Sequence, residues 1–305
     1  MHYALQVITT NAWILTASLL AIVVAFDFTW AVIRRNQNTS LKEATLWSFL
    51  YVSLAIAFGI HLGTWTDSQT QQEFFAGWLT EYSLSFDNLF VFVIILSRLQ
   101  IAEKSKQLAL LFGILIALVF RIIAITLGAA AIKQFEWIFF IFGAFLIYTA
   151  VHLFMEGSQE KEEEKESKII SYLRAKGLKP FTIALLALGA TDILFALDSI
   201  PAIFGLTENV YVVVTANVFA LMGLRQLYFL IGGLMQRLIY IGKGLSVILG
   251  FIGVKLTFHA FHAVDIHELF GIKIPDITIT QSLSVIVGVL AIATVSSLVV
   301  TAKRK

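Results

Sequence analysis

Long apolar stretches alternate with short polar segments along nearly the whole chain. Nine stretches approach or exceed twenty residues, which is about the length of helix that crosses the hydrocarbon core of a bilayer. The pattern therefore predicts an all-α polytopic membrane protein with about nine transmembrane helices. The predicted spans are residues 12–33, 44–64, 75–97, 108–131, 136–155, 181–204, 210–234, 240–262 and 280–302.

The composition supports a membrane protein. Hydrophobic residues make up 58% of the chain and charged residues only 14%, whereas a soluble domain carries about 25% charged residues. The net charge of +2 gives no reason to expect a nucleic-acid partner, and the lipid bilayer is the expected environment. Cysteine is absent, which excludes disulfides, thiolate metal sites and cysteine nucleophiles. The first apolar run lacks the features of a cleaved signal peptide.

The distribution of Lys and Arg orients the predicted spans, because these residues collect in cytoplasmic loops. The segments that follow spans one, three, five, seven and nine are rich in basic residues, and the segments between them carry one basic residue or none. This alternation predicts an external N-terminus and a cytoplasmic C-terminus.

A single long polar stretch, 156–180, divides the chain, and its composition predicts a solvated cytoplasmic linker. Glu–Lys pairs at four-residue spacing favour some helix within it. The predicted organisation is one membrane domain, 1–305. It consists of two N-terminal spans within 12–74, a first repeat at 75–155, the linker, a second repeat at 181–262 and a final span at 280–302.

Two pairs of carboxylates interrupt the apolar runs. Glu81 and Asp87 lie in the third predicted span, and Asp192 and Asp198 lie in the sixth, each 111 residues further along (81 to 192 and 87 to 198). Charged groups inside a membrane are costly and usually mark sites for ions or protons. The repeated spacing predicts one site that is built from two halves.

A second match extends the repeat. Gly143 and His152 correspond to Gly253 and His262, 110 residues later. Spans three to five therefore correspond to spans six to eight. Because each unit has three spans, the second must be inverted relative to the first, an arrangement typical of transporters.

The spacing within each acidic pair also suggests broken helices. Six residues turn an ideal helix by about 600°, so the two carboxylates of a pair would point about 120° apart. Interrupted helices would let both reach one cavity, and Ser85, Asn88, Ser199 and Pro201 are suitable residues for such a break. Pro201 is equally compatible with a kink or a helix end.

The chemistry of these residues favours a hard cation. Carboxylates of Glu81, Asp87, Asp192 and Asp198 with oxygens of Asn88 and Ser199 form an all-oxygen set, as Mn²⁺, Mg²⁺ and Ca²⁺ prefer. The same carboxylates can bind protons, and metal binding expels them. Competition of this kind is sufficient for antiport. The other charges expected inside the membrane, which are candidate counter-ions or gating groups, are Asp27, Arg121, Arg225 and Lys255.

Other chemistries find less support. His259, His262 and His267 lie near the outer end of span eight, where interfacial anchoring is a more frequent role than metal binding. The chain has no phosphate-binding loop and no His-Glu-x-x-His motif. We therefore expect that it is not an enzyme.

These residues resemble the TerC family of bacterial membrane proteins, which includes the pH-responsive Alx proteins. The resemblance covers about residues 10–300, and its motifs include Glu81 to Asn88, Thr191 to Pro201, Asn217 to Arg225, and Phe251 to Lys255. It implies a helical fold of about nine spans, export of Mn²⁺ from the cytoplasm, and help in loading Mn²⁺ into exported or membrane-bound proteins. It also adds Asn217 to the candidate counter-ion and gating residues.

Tellurite resistance gave the family its name, but four carboxylates would repel the tellurite anion. With the resemblance, the sequence therefore predicts a divalent-cation exporter in the plasma membrane of a bacterium, with Mn²⁺ as the first candidate and protons as the exchanged ion. The alternative is a membrane scaffold or assembly factor in which the cation holds only the fold together. Mn²⁺, Ca²⁺ and Mg²⁺ accept the same ligands, so these residues leave the choice among them open.

Overall fold

Ten α-helices can be followed in the parts of the chain that the computed structural model describes, which are residues 8–33, 40–101, 103–135, 137–156, 175–234, 238–269 and 272–303. Most of the predicted linker lies outside these ranges. The side chains of several residues within helices, Asp87 and Asp198 among them, also lie outside the description.

The helices follow the apolar stretches closely. They are α1 (Thr10–Ile33), α2 (Leu41–Trp65), α3 (Ser68–Arg98), α4 (Glu103–Gln134), α5 (Ile138–Glu156), α6 (Pro180–Phe204), α7 (Val210–Met222), α8 (Leu224–Leu234), α9 (Ile241–Ala263) and α10 (Ile279–Lys303). Two short antiparallel strands, β1 (Glu268–Leu269) and β2 (Ile272–Lys273), pair in the segment before α10.

Eight helical segments of the described chain are long and apolar enough to cross a membrane, with α7 and α8 together forming one of them. The predicted polytopic all-α membrane protein is therefore confirmed. The third predicted span lies on α3, which is not among the eight and carries Glu73, Glu81 and Asp87 along its 31 residues. It packs against α2, α6, α7, α8, α9 and α10 and so lies inside the bundle.

The expectation of broken helices in spans three and six is wrong, because α3 and α6 are continuous. Polar side chains can be accommodated in an intact helix when they bond to its own backbone. The Ser83 hydroxyl donates to Leu79 O at 2.6 Å, and the Thr191 hydroxyl donates to Ala187 O at 2.8 Å. Pro201 lies in the last turn of α6, where its missing N–H removes one helical hydrogen bond.

The interrupted span is the seventh. It consists of α7 and α8, which meet at Gly223. Asn209 caps the start of α7, where its side-chain oxygen accepts a hydrogen bond from the backbone N–H of Tyr211 at 3.1 Å. Nothing in the residue pattern predicts this break, since Gly is tolerated inside transmembrane helices.

Packing between the two predicted repeats has the pattern expected of an inverted pair. α3 packs on α7 and α4 packs on α6, and these two contacts are equivalent under the proposed correspondence. α5 and α9, which also correspond, pack directly against each other. These contacts are compatible with the inverted repeat, which stays a prediction.

The α5–α9 interface depends on two glycines of the repeat. A Cβ atom on Gly253 would lie 3.0 Å from Gly143 O and 2.9 Å from Ile147 Cγ1, and a Cβ on Gly143 would lie 2.9 Å from Gly253 O. Because the opposing atoms are largely backbone, they cannot rotate away. Small residues at such positions let membrane helices approach closely.

Gly253→Ala should therefore destabilise the protein although Ala is the better helix former. Overpacking costs about 1–3 kcal/mol, against a gain of about 1 kcal/mol in helix propensity. Gly288→Ala in α10 is the matched control, because a Cβ there meets nothing within 4 Å. Thermal unfolding in detergent should show a lower melting temperature for Gly253→Ala only. Equal shifts in the two variants would contradict the close-approach argument.

Candidate cation site

A buried arginine joins the two predicted repeats. Arg121 of α4 is 1% exposed, and its Nη1 donates a short hydrogen bond to Glu81 Oε2 on α3. The same nitrogen donates to Asn217 Oδ1 on α7 at 3.0 Å. Its Nη2 lies 3.5 Å from Asp192 Oδ1 on α6. One guanidinium thus contacts side chains from three other helices, and its two carboxylate partners come from different repeats.

The position of Asn217 is fixed by its own helix. Its Nδ2 donates to Val213 O at 3.0 Å, so its Oδ1 is the atom that faces Arg121. Both residues are 1% exposed. In this low-dielectric setting the amide oxygen provides a neutral acceptor that holds the guanidinium without adding charge.

Several buried polar atoms at this level have no hydrogen-bond partner among the described residues. Glu81 and Asp192 each use one carboxylate oxygen toward Arg121, while the other, Glu81 Oε1 and Asp192 Oδ2, is unpaired. Asn88 Nδ2 and the Ser85 hydroxyl are also unpaired, and the Ser199 hydroxyl lies beside the Glu81 carboxylate. Buried polar atoms left unpaired are costly, so among the described side chains the unpaired oxygens are the atoms that could accept an ion or a proton.

Four of the six predicted ligands are therefore placed by the structure. Glu81 and Asp192 meet at Arg121, Ser199 lies near Glu81, and Asn88 is buried on α3. The side chains of Asp87 and Asp198 lie outside the description. Within the side chains that are described, no group of three or more His, Cys, Asp or Glu could hold a metal ion. The six-residue site stays a prediction.

The polar layer lies between two buried apolar clusters that include residues of both α3 and α6. The outer apolar cluster, named for the predicted topology, contains Phe74 and Trp78 of α3 with Ile200 and Phe204 of α6. The inner apolar cluster contains Leu89, Phe92 and Leu96 of α3 with Ile183, Ala184 and Leu188 of α6. Both ends of the layer are thus sealed by apolar side chains in this conformation.

The remaining candidate counter-ions contact other groups. Arg225 of α8 pairs with Asp27 of α1 at 2.7 Å, between Arg225 Nη2 and Asp27 Oδ1. The same oxygen accepts hydrogen bonds from the Tyr51 hydroxyl at 2.7 Å and from Gln226 Nε2 at 3.2 Å. Arg121, rather than Arg225 or Lys255, is therefore the base that contacts the described carboxylates of the repeats.

Lys255 belongs to a separate group near the predicted outer surface, where it interacts electrostatically with Glu73 and Asp276. Glu73 also accepts hydrogen bonds from the Thr207 hydroxyl at 2.5 Å and from Gln69 Nε2 at 3.0 Å. Sequence reasoning missed Tyr51, Gln226 and Glu73. For Glu73 a signal was available, because an acidic residue in the second turn of α3 interrupts a predicted membrane helix near its start.

The histidines near this end contact neighbouring side chains. His259 Nε2 lies 3.1 Å from Glu208 Oε1, and its ring meets Phe139 edge to face at 4.7 Å. The rings of His262 and His267 lie 5.3 Å apart. His259 and Glu208 are each about half exposed. These contacts fit the interfacial anchoring expected from the sequence.

The fold and the ionic layer define a multi-pass integral membrane protein with charged groups buried among its helices. Residues 66–305 match the Integral membrane protein TerC family. The chain belongs to this family, as its motifs indicated.

Relatives of known sequence agree with this assignment. An uncharacterized membrane protein of Mycobacterium tuberculosis is 42% identical over 311 residues, covering 93% of this chain and 78% of the relative. One from Myxococcus xanthus is 37% identical, over 87% and 85% of the two chains. A putative membrane-bound redox modulator, Alx, of Escherichia coli is 32% identical, over 85% and 90%. No solved structure matches the chain.

Proposed function

We propose that the chain is a divalent-cation transporter that exports Mn²⁺ from the cytoplasm in exchange for protons. The observation that carries this proposal is the buried group of Glu81, Arg121 and Asp192, which joins α3, α4 and α6 and in which one oxygen of each carboxylate has no hydrogen-bond partner among the described residues. Oxygen ligands suit Mn²⁺, Mg²⁺ and Ca²⁺. Cation binding and protonation compete for the same oxygens, which provides the coupling.

The two apolar clusters support a transport cycle. A carrier must expose its site to one side at a time, and the conformation described here closes both sides around the polar layer. Opening the inner cluster would admit a cation from the cytoplasm, and opening the outer cluster would release it. Movement of one predicted repeat against the other is the usual way in which such folds alternate.

One observation favours the scaffold alternative. Glu81, Arg121 and Asp192 are each at most 3% exposed in an ion-pair network that joins three helices, as expected of a closed site with a structural role. A redox role, as the name of the Alx relatives suggests for them, would need a redox-active group other than a thiol, because the chain has no cysteine.

Flux measured with the purified protein separates transport from scaffolding. Inside-out proteoliposomes should accumulate Mn²⁺ when their interior is acidic, because protons leaving through the carrier drive the cation inward. Mg²⁺ and Ca²⁺ should be tested in parallel, with protein-free liposomes as the control. Accumulation that is abolished by a protonophore supports exchange. Tight Mn²⁺ binding without flux of any cation would favour the scaffold.

A further inference from the structure

The helices that carry the acidic residues run side by side in opposite directions. A Cβ atom on Gly77 of α3 would lie 3.2 Å from Ile203 Cδ1 of α6, and Glu81 lies beside Ser199. As residue numbers rise along α3, the opposing numbers on α6 therefore fall. The same register places Asn88 opposite Asp192.

The backbone of Arg121 lies beside α3 and α6 at a height between their polar residues. α4 and α6 are parallel, since Gly113 faces Leu188 at 3.2 Å and Gly128 faces Phe204 at 3.0 Å, measured from an ideal Cβ on each glycine. Arg121 lies midway between these two contacts along α4. Its backbone therefore falls between the heights of Asp192 and Ser199 on α6.

The buried polar groups consequently form two levels. Glu81 and Ser199 make the outer level, and Asn88 and Asp192 make the inner level, so that each level has one residue from each predicted repeat. Seven helical residues separate Glu81 from Asn88, which corresponds to about 10 Å along the axis. The side chains of Glu81 and Asp192 shorten this backbone interval, and the guanidinium of Arg121 lies between their carboxylates, with Nη1 donating to Glu81 and Nη2 3.5 Å from Asp192 Oδ1.

We propose that Arg121 is a built-in cation that divides the pathway into two half-sites and gates passage between them. This inference rests on the proposed transport function and adds a regulating residue to that site. A cation that enters from the cytoplasm meets the inner level first and reaches the outer level only when the guanidinium releases Glu81. After the cation leaves, Arg121 returns to its two carboxylates and Asn217.

The physical basis is competition between like charges. The guanidinium is positively charged at every accessible pH, so it opposes a divalent cation that shares its carboxylates. Unlike a proton, it stays attached to α4 and cannot leave the membrane. Its withdrawal must therefore accompany cation binding, and its return lowers the affinity for the cation so that the cation is released. Asn217 is a positioning residue that holds the guanidinium at the resting place.

Removing the built-in cation should separate binding from transport. An opposite charge within about 4–6 Å lowers the proton affinity of a carboxylate by roughly tenfold or more, and we expect an effect of at least similar size on a divalent cation. Arg121→Gln should therefore bind Mn²⁺ with a Kd at least about tenfold lower than wild type. Its flux should fall by at least a similar factor, because the release step loses its competitor. Arg121→Lys keeps the charge but lacks the planar guanidinium, so its Kd and its flux should lie between those of wild type and Arg121→Gln.

The experiment uses the full chain in lipid nanodiscs for Mn²⁺ titration by electron paramagnetic resonance, and in proteoliposomes for Mn²⁺ flux. Lower Kd with lower flux in Arg121→Gln supports the proposal. Unchanged Kd, or a lower Kd with wild-type flux, overturns it. If the wild-type protein neither binds nor transports Mn²⁺, both the proposed function and the role of Arg121 are contradicted. That result differs from the two variant results, which bear on Arg121 alone.

A second variant, which leaves the charge of Arg121 in place, keeps the proposal testable if Arg121→Gln does not fold. Asn217→Leu keeps the Arg121–Glu81 pair and removes the neutral acceptor. Without this acceptor, the guanidinium of Arg121 is held less firmly and its competition with Mn²⁺ for the carboxylates should change. The Kd for Mn²⁺ should therefore change by several-fold while the protein stays monodisperse. If Arg121→Gln does not insert, wild-type Kd and flux in both Arg121→Lys and Asn217→Leu would overturn the gate.

Discussion

Glu81→Gln is expected to reduce Mn²⁺ flux in proteoliposomes by at least two orders of magnitude. The substitution keeps the size of the side chain but removes its charge, so one carboxylate of the Glu81–Arg121–Asp192 group no longer attracts the cation. It also removes a group that can exchange a cation for a proton. The carboxylate is fully buried and pairs with Arg121. Initial rates of Mn²⁺ accumulation under a fixed pH gradient provide the measurement.

Glu208→Gln is the matched control. Glu208 undergoes the same chemical change, but it is about half exposed and pairs with His259 near the predicted outer surface. Its variant should retain most of the wild-type flux. Both proteins should elute as single species in size-exclusion chromatography, which excludes misfolding as the cause. Comparable flux from Glu81→Gln and wild type would remove Glu81 from the site.

Asp192→Asn tests the contribution of the second repeat. Its Oδ1 lies 3.5 Å from Arg121 Nη2, so it faces the same guanidinium as Glu81, and Mn²⁺ flux should fall in this variant too. The sequence makes the same prediction for Asp87→Asn and Asp198→Asn, whose side chains lie outside the description. Loss of flux in all four variants would support the six-residue site.

Much of the fold could be predicted because the membrane limits the alternatives. A stretch of about twenty apolar residues in a bilayer has few options besides a spanning helix. The paired acids were recognisable for a similar reason, since Glu81 and Asp192 interrupt sequences that otherwise suit lipid. The Gly143 and Gly253 match also identified two residues that do meet at a helix interface.

Other features depend on tertiary register, which spacing within one helix does not reveal. The six-residue spacing of the acids suggests broken helices, whereas α3 and α6 are continuous in the structure. The sequence also does not reveal which acidic residue pairs with each arginine. Arg121 and Arg225 occur in similar apolar surroundings, yet one contacts Glu81 and Asp192 and the other contacts Asp27.

The Asp27 contacts have a structural consequence for the interrupted seventh span. Arg225 follows Gly223 by two residues, so the start of α8 is tied to α1 and α2 through Asp27 and Tyr51. The α7 half is tied to Arg121 through Asn217. The two halves of one span thus belong to different polar networks, and the Asp27 network attaches the N-terminal helices to the bundle.

Asp27→Leu is accordingly expected to cost about 3–5 kcal/mol, the range for breaking a buried ion pair by removing one partner. Arg225 is 5% exposed and would be left as an uncompensated cation, and Tyr51 and Gln226 would lose their shared acceptor. Asp27→Asn keeps an acceptor oxygen and should cost less. Thermal unfolding in detergent gives the order of stabilities.

The double variant Asp27→Leu with Arg225→Met makes this test specific. Replacing both members of a buried ion pair with apolar side chains is often nearly neutral, whereas removing one is not. The double variant should therefore be more stable than Asp27→Leu alone, with a melting temperature closer to that of wild type. This recovery is expected only if the uncompensated charge of Arg225 causes the loss. A double variant as unstable as the sum of the two single variants would show that packing around α1, and not the ion pair, holds this end of the bundle together.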